Sequence, residues 1–472
     1  MAVILCSALM VAAGRWVLLL MWLLAMLCAQ GEGGRGSTAP FVGRNEEGDL
    51  VLNPAPSRGV LLNGTDAVAE LRAVQQLLEA QGQQIALLQA QERMVATMQE
   101  DVCSLMRLVL GGADLAAEMQ LIPTVGGADW EAFEVDGTPF LAVANSGEGV
   151  LHSVNSAIYR WSGSKFVHWQ DIPTKGAVDW ESFEINGIPY LAVANHFDDA
   201  KAEPKLANSV IYRWNGTALE HFQDILTSGA RDWAAFEISG TPHLVVANSY
   251  NDTVYDSVIY SWNGSTFVAA HWIPTLGAMD WEAFAIDGTP FLAVANAGSG
   301  PNATFILNST IYRWSYILSS FERVQDVPTI GGNDWAAFTI DGVPFLAVAN
   351  KRSDSSWTVN SVIYRWNGLR FVAVQDIPTV GAVDWEAFEI NGIPFLAMAS
   401  AGDAFNRKMN SALYRWNGTA FWQVQTVTSV GANDLAAFKI QGASFLAMAN
   451  VRNDSSWEIQ STIYQLVDVC LP

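Results

Sequence analysis

Cysteine is scarce in this chain, with four residues in 472: Cys6, Cys28, Cys103 and Cys470. So few exclude a scaffold stapled by many disulfides. Histidine is scarce too. His152, His168, His196, His221, His243 and His271 are read as sharing no repeat position and no metal-ligand spacing, which argues against a histidine metal centre. Charged residues make up only 15% of the chain, and 25 Lys and Arg face 47 Asp and Glu, a net charge of −22. Such a surface repels nucleic acid and anionic membrane, so no nucleic-acid partner is expected. No free nucleophilic cysteine, Gly-x-Ser-x-Gly elbow or phosphate loop is present. These absences predict a protein that is not an enzyme.

What is there begins with a leader. Arg15 precedes the apolar run Trp16–Cys28, and small or polar residues follow at Ala29–Gly31. That layout reads as a secretory signal peptide over residues 1–30. The competing reading is an uncleaved anchor, which would tie the chain to a membrane. Eight Asn-x-Ser/Thr sequons agree with secretion, at Asn63, Asn215, Asn251, Asn263, Asn302, Asn308, Asn417 and Asn453. With Cys6 and Cys28 in the leader, Cys103 and Cys470 remain as one natural disulfide pair. The alternative is interchain bridging through Cys103.

Residues 31–63, rich in Gly, Pro, Ser and Asn, read as a flexible linker. From 64 to 110 the texture turns to Gln, Ala, Leu and Glu. Leu71, Leu78 and Ile85 recur every seventh residue, as do Leu88, Val95, Val102 and Val109, and together they make one helical stripe. Gln81, Gly82 and Glu92 interrupt it. The stripe fits a coiled-coil stalk, hence a homo-oligomer through 65–110, or a helix folded back on its neighbour.

The dominant signal is a repeat. Asp-Trp-Glu-Ala-Phe, a Gly turn, Phe-Leu-Ala-Val-Ala-Asn, a variable stretch and Ile-Tyr-Arg-Trp return about every fifty residues, in copies opening at Asp129, Asp179, Asp232, Asp280, Asp334, Asp384 and Asp434. Asp136-Gly137, Asn186-Gly187, Asp287-Gly288, Asp341-Gly342 and Asn391-Gly392 suit two-residue hairpins, and Asn215-Gly216, Asn263-Gly264, Asn367-Gly368 and Asn417-Gly418 mark a second hairpin. Each copy therefore supplies four short antiparallel strands, one blade of a propeller. The predicted fold is all-β, a seven-bladed propeller over 112–472 preceded by the helical segment. Copy seven stops after its third strand, whereas residues 115–124 match the fourth-strand text of the other copies. Strand 115–124 is therefore expected to complete the last blade, with a Cys103–Cys470 bond locking the same junction.

The aromatics of every copy are expected to pack between blades. The seven Asp are expected at one mouth of the central channel. Two roles stay open for them: capping local backbone N–H groups after the Gly-containing turn, or holding a channel cation such as Ca2+. Loops 146–154, 196–207, 249–256, 297–307, 351–359, 401–409 and 451–460 vary most and share a face, which makes them the expected recognition surface. Phe197, Trp357 and Phe405 are candidate partner anchors there.

The run Asp384–Ile390, Asn391-Gly392, Phe395–Ala399 and Ser411–Gly418 resembles the epilepsy-associated repeat, also called the epitempin (EAR/EPTP) repeat. This is the repeat of the leucine-rich glioma-inactivated proteins and of a thrombospondin-type relative. The resemblance covers about 113–467. It implies a seven-bladed propeller in a secreted or cell-surface protein that binds an extracellular protein or receptor, and it accords with a channel cation. The chain lacks the leucine-rich and laminin-like N-terminal domains of those relatives. A lectin-like matrix protein binding glycans through surface aromatics is the alternative function.

Overall fold

The computed structural model describes residues 115–149, 151–249, 255–298, 304–403 and 405–467, four short strands before residue 67, and helical residues 76–77, 80–84 and 87. The leader at 1–30, Asn63, Asn251, Asn302, Cys103 and Cys470 lie outside them. The chain divides into two units, Met1–Glu92 and Arg93–Pro472. In the first, Phe41–Arg44 pairs with Leu50–Asn53 inside the stretch read as a linker, and Leu61–Leu62 pairs with Thr65–Asp66. Leu77 and Leu87 of the helical segment face solvent.

The second unit is seven four-stranded antiparallel sheets. In blade 2 the strands run Ala177–Ile185, Ile188–Asn195, Asn208–Trp214 and Leu219–Leu226. The other blades open at Gly127, Ala230, Ala278, Gly332, Ala382 and Ala432. The first strands neighbour one another around the axis. The last blade is made from both ends of the unit: Ala116–Val125 pairs antiparallel with Glu458–Leu466, Ala116 opposite Leu466 and Val125 opposite Glu458. The ring therefore closes by backbone hydrogen bonds, as the missing fourth strand of copy seven predicts.

Turn chemistry separates the two hairpins of each blade. Between the first and second strands, Asp136 (φ 49°) and Gly137 (φ 74°) both sit in the left-handed region, as a type I′ turn requires. The Asn-Gly of the second hairpin works differently. Trp214 pairs with Leu219 across a four-residue turn, and the Asn215 side-chain oxygen accepts the N–H groups of Thr217 and Ala218, each at 3.0 Å. Here Asn is an acceptor that holds the turn together, and only Gly216 has positive φ.

The apolar core is seven clusters, and each spans two successive blades. Trp180 and Tyr212 of blade 2 pack with Phe133, Phe140 and Ile158 of blade 1. The closing strand belongs to the same scheme, since Ile122 packs with Trp130 and Phe445. The repeated aromatics thus fill the wedges between sheets. A β-bulge near the start of each first strand, between Ala177 and Asp179 in blade 2, inserts one extra residue ahead of the ring Asp.

Candidate functional site: the central channel and its loop-face mouth

The seven Asp do line the channel, but their hydrogen bonds are not local. Asp129 Oδ2 accepts the backbone N–H of Trp180, in the next blade, at 2.9 Å. Asp179 does the same for Trp233, Asp232 for Trp281, Asp280 for Trp335, Asp334 for Trp385 and Asp434 for Trp130, at 2.8–2.9 Å. The expected local cap is therefore corrected to a clamp between blades. The cause is geometric: the bulge turns the carboxylate sideways, toward the bulged strand of its neighbour. The seventh link is the exception. Asp384 faces Leu435, where the other copies have Trp, and its buried Oδ2 has no hydrogen-bond partner.

Two residues deeper, Glu131, Glu181, Glu282 and Glu386 accept the N–H groups of Ser182, Ala235, Ala337 and Ala437 at 2.7–3.0 Å. Ala234, Ala336 and Ala436 take that position in the other three blades. A third set of clamps encircles the outer strands. Gln170, for example, donates to Leu219 C=O at 2.8 Å and accepts its N–H at 3.0 Å, and Gln425 brackets Ala116 of the closing strand in the same way. These glutamines recur in six of the seven blades, with His271 at that position in blade 3, yet polarity at an outer strand gives no hint of a structural task.

Eleven carboxyl groups therefore surround a channel of about 290 Å³. Burial, followed for several of them by mutual repulsion, raises their proton affinity. Glu131, Asp232 and Asp434 are pushed up to about 7, and Glu282 and Glu386 to about 8. Asp129, Asp179, Glu181, Asp280, Asp334 and Asp384 move in the same direction. The oxygens are the hard donors that Ca2+ prefers. However, among the described residues no group of three or more His, Cys, Asp or Glu stands close enough together to hold a metal ion, and six Oδ2 atoms are committed to N–H groups.

The variable loops rise from the mouth at which the first strands start. His196 N–H meets Gly176 C=O and Ala401 N–H meets Gly381 C=O, at 3.0 Å each, which ties each loop to the turn that enters the blade. The candidate anchors differ in position. Phe405 projects into solvent with 94% of its surface exposed. Phe197 stacks on His152 at 4.7 Å, and Trp357 lies under the Arg352 guanidinium at 4.7 Å. Both are folded down onto their surroundings. On the opposite face, Asn215, Asn263 and Asn417 sit in their hairpin turns, and in blade 4 Tyr316, Ile317 and Leu318 replace that turn with exposed apolar side chains. Asn308 is exposed on the third strand of blade 4, and Asn453 lies in the loop of blade 7.

One reading of the histidines needs correction. His168 and His221 share a register position, opposite Tyr159 and Tyr212, and each contacts an Asp three residues on, at 2.8 and 3.1 Å. The shared position is legible once the fourth strands Phe166–Pro173 and Leu219–Leu226 are aligned, where His is third in each; the unequal loops before them shift its distance from the opening Asp. Both pairs are surface-exposed on outer strands, far from the channel.

Seven four-stranded sheets clamped blade to blade, with the variation among copies gathered in loops at one face, define a seven-bladed β-propeller. The EPTP domain model matches residues 117–162, 165–215, 219–263, 266–315, 320–367 and 370–417, and the chain belongs to that family. Each matched segment starts on the fourth strand of one blade and ends on the third strand of the next, the same stagger that closes the ring. Among relatives, the thrombospondin-type laminin G domain and EAR repeat-containing protein of Mus musculus is 39% identical over 263 residues, covering 54% of this chain and 32% of that protein. The Homo sapiens protein of that name is 36% identical over the same shares. The chain thus matches about a third of the length of these relatives. Among solved structures, a periplasmic gluconolactonase of Pseudomonas aeruginosa shares the fold at 14% identity with a TM-score of 0.51, over 69% of this chain and 95% of that one.

Proposed function

We propose that the chain is an extracellular protein-recognition module that binds a protein or receptor through the loop face of its propeller. The observation that carries this reading is the division of labour within each copy. Trp, Asp, Glu and Gln are spent on clamps and wedges, whereas the seven loops on one face diverge and present groups such as Phe405. Membership of the EPTP family supports an interaction role. The sequons and leader support secretion, and among the described residues no helix is long and apolar enough to cross a membrane. A channel Asp recurs in every blade and six of the seven accept a backbone N–H from the next blade, which favours binding over catalysis. The test is proximity labelling by the secreted chain on cells of its own organism. A labelled surface protein lost with Phe405→Asp supports the reading; labelling indifferent to the loop face overturns it.

A second reading, glycan recognition, rests on Trp169 and Trp272, exposed at 41% and 58% on outer strands. Binding on a glycan array that disappears with Trp272→Ala would favour it. We also propose that a hard cation such as Ca2+ associates with the Asp ring, whose oxygens suit it although among the described residues no three carboxyls stand close enough together in this structure to hold it.

A further inference from the structure

The bulge that precedes the ring Asp adds one residue per blade on the loop-face side of the carboxylates; Ala128, Val178 and Val383 pack between blades, and polar residues hold the position in blades 3, 5 and 7. Where that residue is Asn, it reaches around the axis: Asn333 Nδ2 donates to Val383 C=O at 2.7 Å and Asn433 Nδ2 to Ala128 C=O at 2.8 Å. In blade 3 the same position is Arg231. Its Nε is buried and has no hydrogen-bond partner. Lys351, which follows the second strand of blade 5, reaches into the same layer, with Nζ 3.5 Å from Asn333 Oδ1. Among the described residues neither cation forms a salt bridge, and the nearby Oδ2 atoms of Asp232 and Asp280 are taken by Trp N–H groups.

The electrostatics agree with that placement. Burial brings Lys351 down to about 8, helped by the like charges of Arg231, Arg407 and Arg352, and burial alone brings Arg231 down to about 10. His196, buried beside Arg231 with Nδ1 on Ala230 C=O at 3.0 Å, is pushed toward its neutral form by burial and by the Arg231 charge, so it adds no third positive charge. Two half-buried cations without a salt-bridge partner carry a desolvation cost, and an incoming anion offsets it.

We propose that Arg231 and Lys351 form an anion subsite at the loop-face mouth of the channel, and that it takes the carboxylate of an Asp or Glu side chain from an acidic loop of the protein partner. The inference rests on the loop-face reading of function and names the chemistry that reading lacks. A single protruding side chain fits a recessed mouth. An extended sulfated glycan instead meets the net charge of −22 along its whole length.

The test uses the full secreted chain with two probes, acetyl-Ala-Glu-Ala-amide and its Gln counterpart, and a heparin hexasaccharide as the glycan arm. The Glu peptide is expected to bind and the Gln peptide not to. The double variant Arg231→Met/Lys351→Met should weaken Glu-peptide binding by about tenfold or more, as loss of charge-assisted hydrogen bonds implies. Arg231→Lys/Lys351→Arg, with an unchanged melt, should retain it. Equal Glu-peptide affinity in wild type and double Met variant overturns the subsite, as does a hexasaccharide that binds through these two residues while the peptide does not. Cell binding separates the two claims. A subsite intact for the peptide, with cell binding indifferent to the loop face, sinks the functional reading alone. Cell binding that needs the loop face but ignores the double Met variant sinks the subsite alone.

Discussion

Asp129 reaches out of its own blade to accept the backbone N–H of Trp180 at 2.9 Å. One residue type thus joins six of the seven first strands to the next; the donor is a backbone N–H, so the bond accounts for the repeated Asp, while the repeated Trp is held by its ring in the wedge between blades. At the seam between blades 6 and 7, Asp384 meets Leu435 without that bond. Asp129→Ala should strand a buried N–H and cost about 1–3 kcal/mol, and Asp384→Ala should cost less. Thermal melts at pH 5.5, where charge repulsion in the ring is relieved, compare the two directly. Equal losses would show that the clamp contributes nothing.

Acidification should stabilise the ring. The folded-state carboxyls are raised, to about 7 for Asp232 and Asp434 and about 8 for Glu282 and Glu386. Between the ordinary carboxylate range near pH 4 and those values, the folded chain holds protons that the unfolded chain has released. This stabilisation is fully present below about pH 4 and is lost as pH rises through about 7 to 8. The melting temperature should therefore fall from pH 5.5 to pH 8, and Glu386→Gln should flatten the slope. A melt that rises over this window would contradict the assignment.

The proposed channel cation would compete with those protons. Added Ca2+ should raise the melting temperature more at pH 8 than at pH 6, and chelator should reverse the gain. A melt unmoved by Ca2+ at both values would leave the Asp ring with its clamp role alone.

The type I′ turn of blade 7 uses Gln441 at φ 50°, where most other copies have Asp or Asn. A left-handed conformation costs a residue of this kind about 1–2 kcal/mol. Gln441→Gly or Gln441→Asn should therefore raise the denaturant midpoint with an unchanged slope. The parallel change at Asp136, whose side chain already tolerates this conformation, should gain less.

The fold was legible because repetition reports architecture. Asp136-Gly137 named the turn, and the absent fourth strand after Glu458–Leu466 named the closing strand. The chemistry of the site was less legible, for a related reason. The Asp129–Trp180 bond joins residues 51 positions apart, and within one copy nothing distinguishes it from a local cap. Arg231 and Lys351 are departures from the repeat, and each looks like ordinary surface charge until bulge and ring bring both to one mouth. Phe197, Trp357 and Phe405 read alike in sequence, yet only Phe405 stands free, because the other two find partners from distant segments or neighbouring loops.

Glycan shielding of one face at a time tests the central claim most directly, that recognition belongs to the loop face. Lys408→Thr creates a sequon at exposed Asn406 on the loop of blade 6, and Leu369→Thr creates one at Asn367 in the hairpin turn on the opposite face. Both are expressed through the secretory route, with Asn406→Gln/Lys408→Thr as the unglycosylated control, and cell-surface binding is measured by flow cytometry. The account predicts that binding is lost with the glycan at Asn406 and kept with the glycan at Asn367 and in the control. Binding that survives the first and disappears with the second would contradict it.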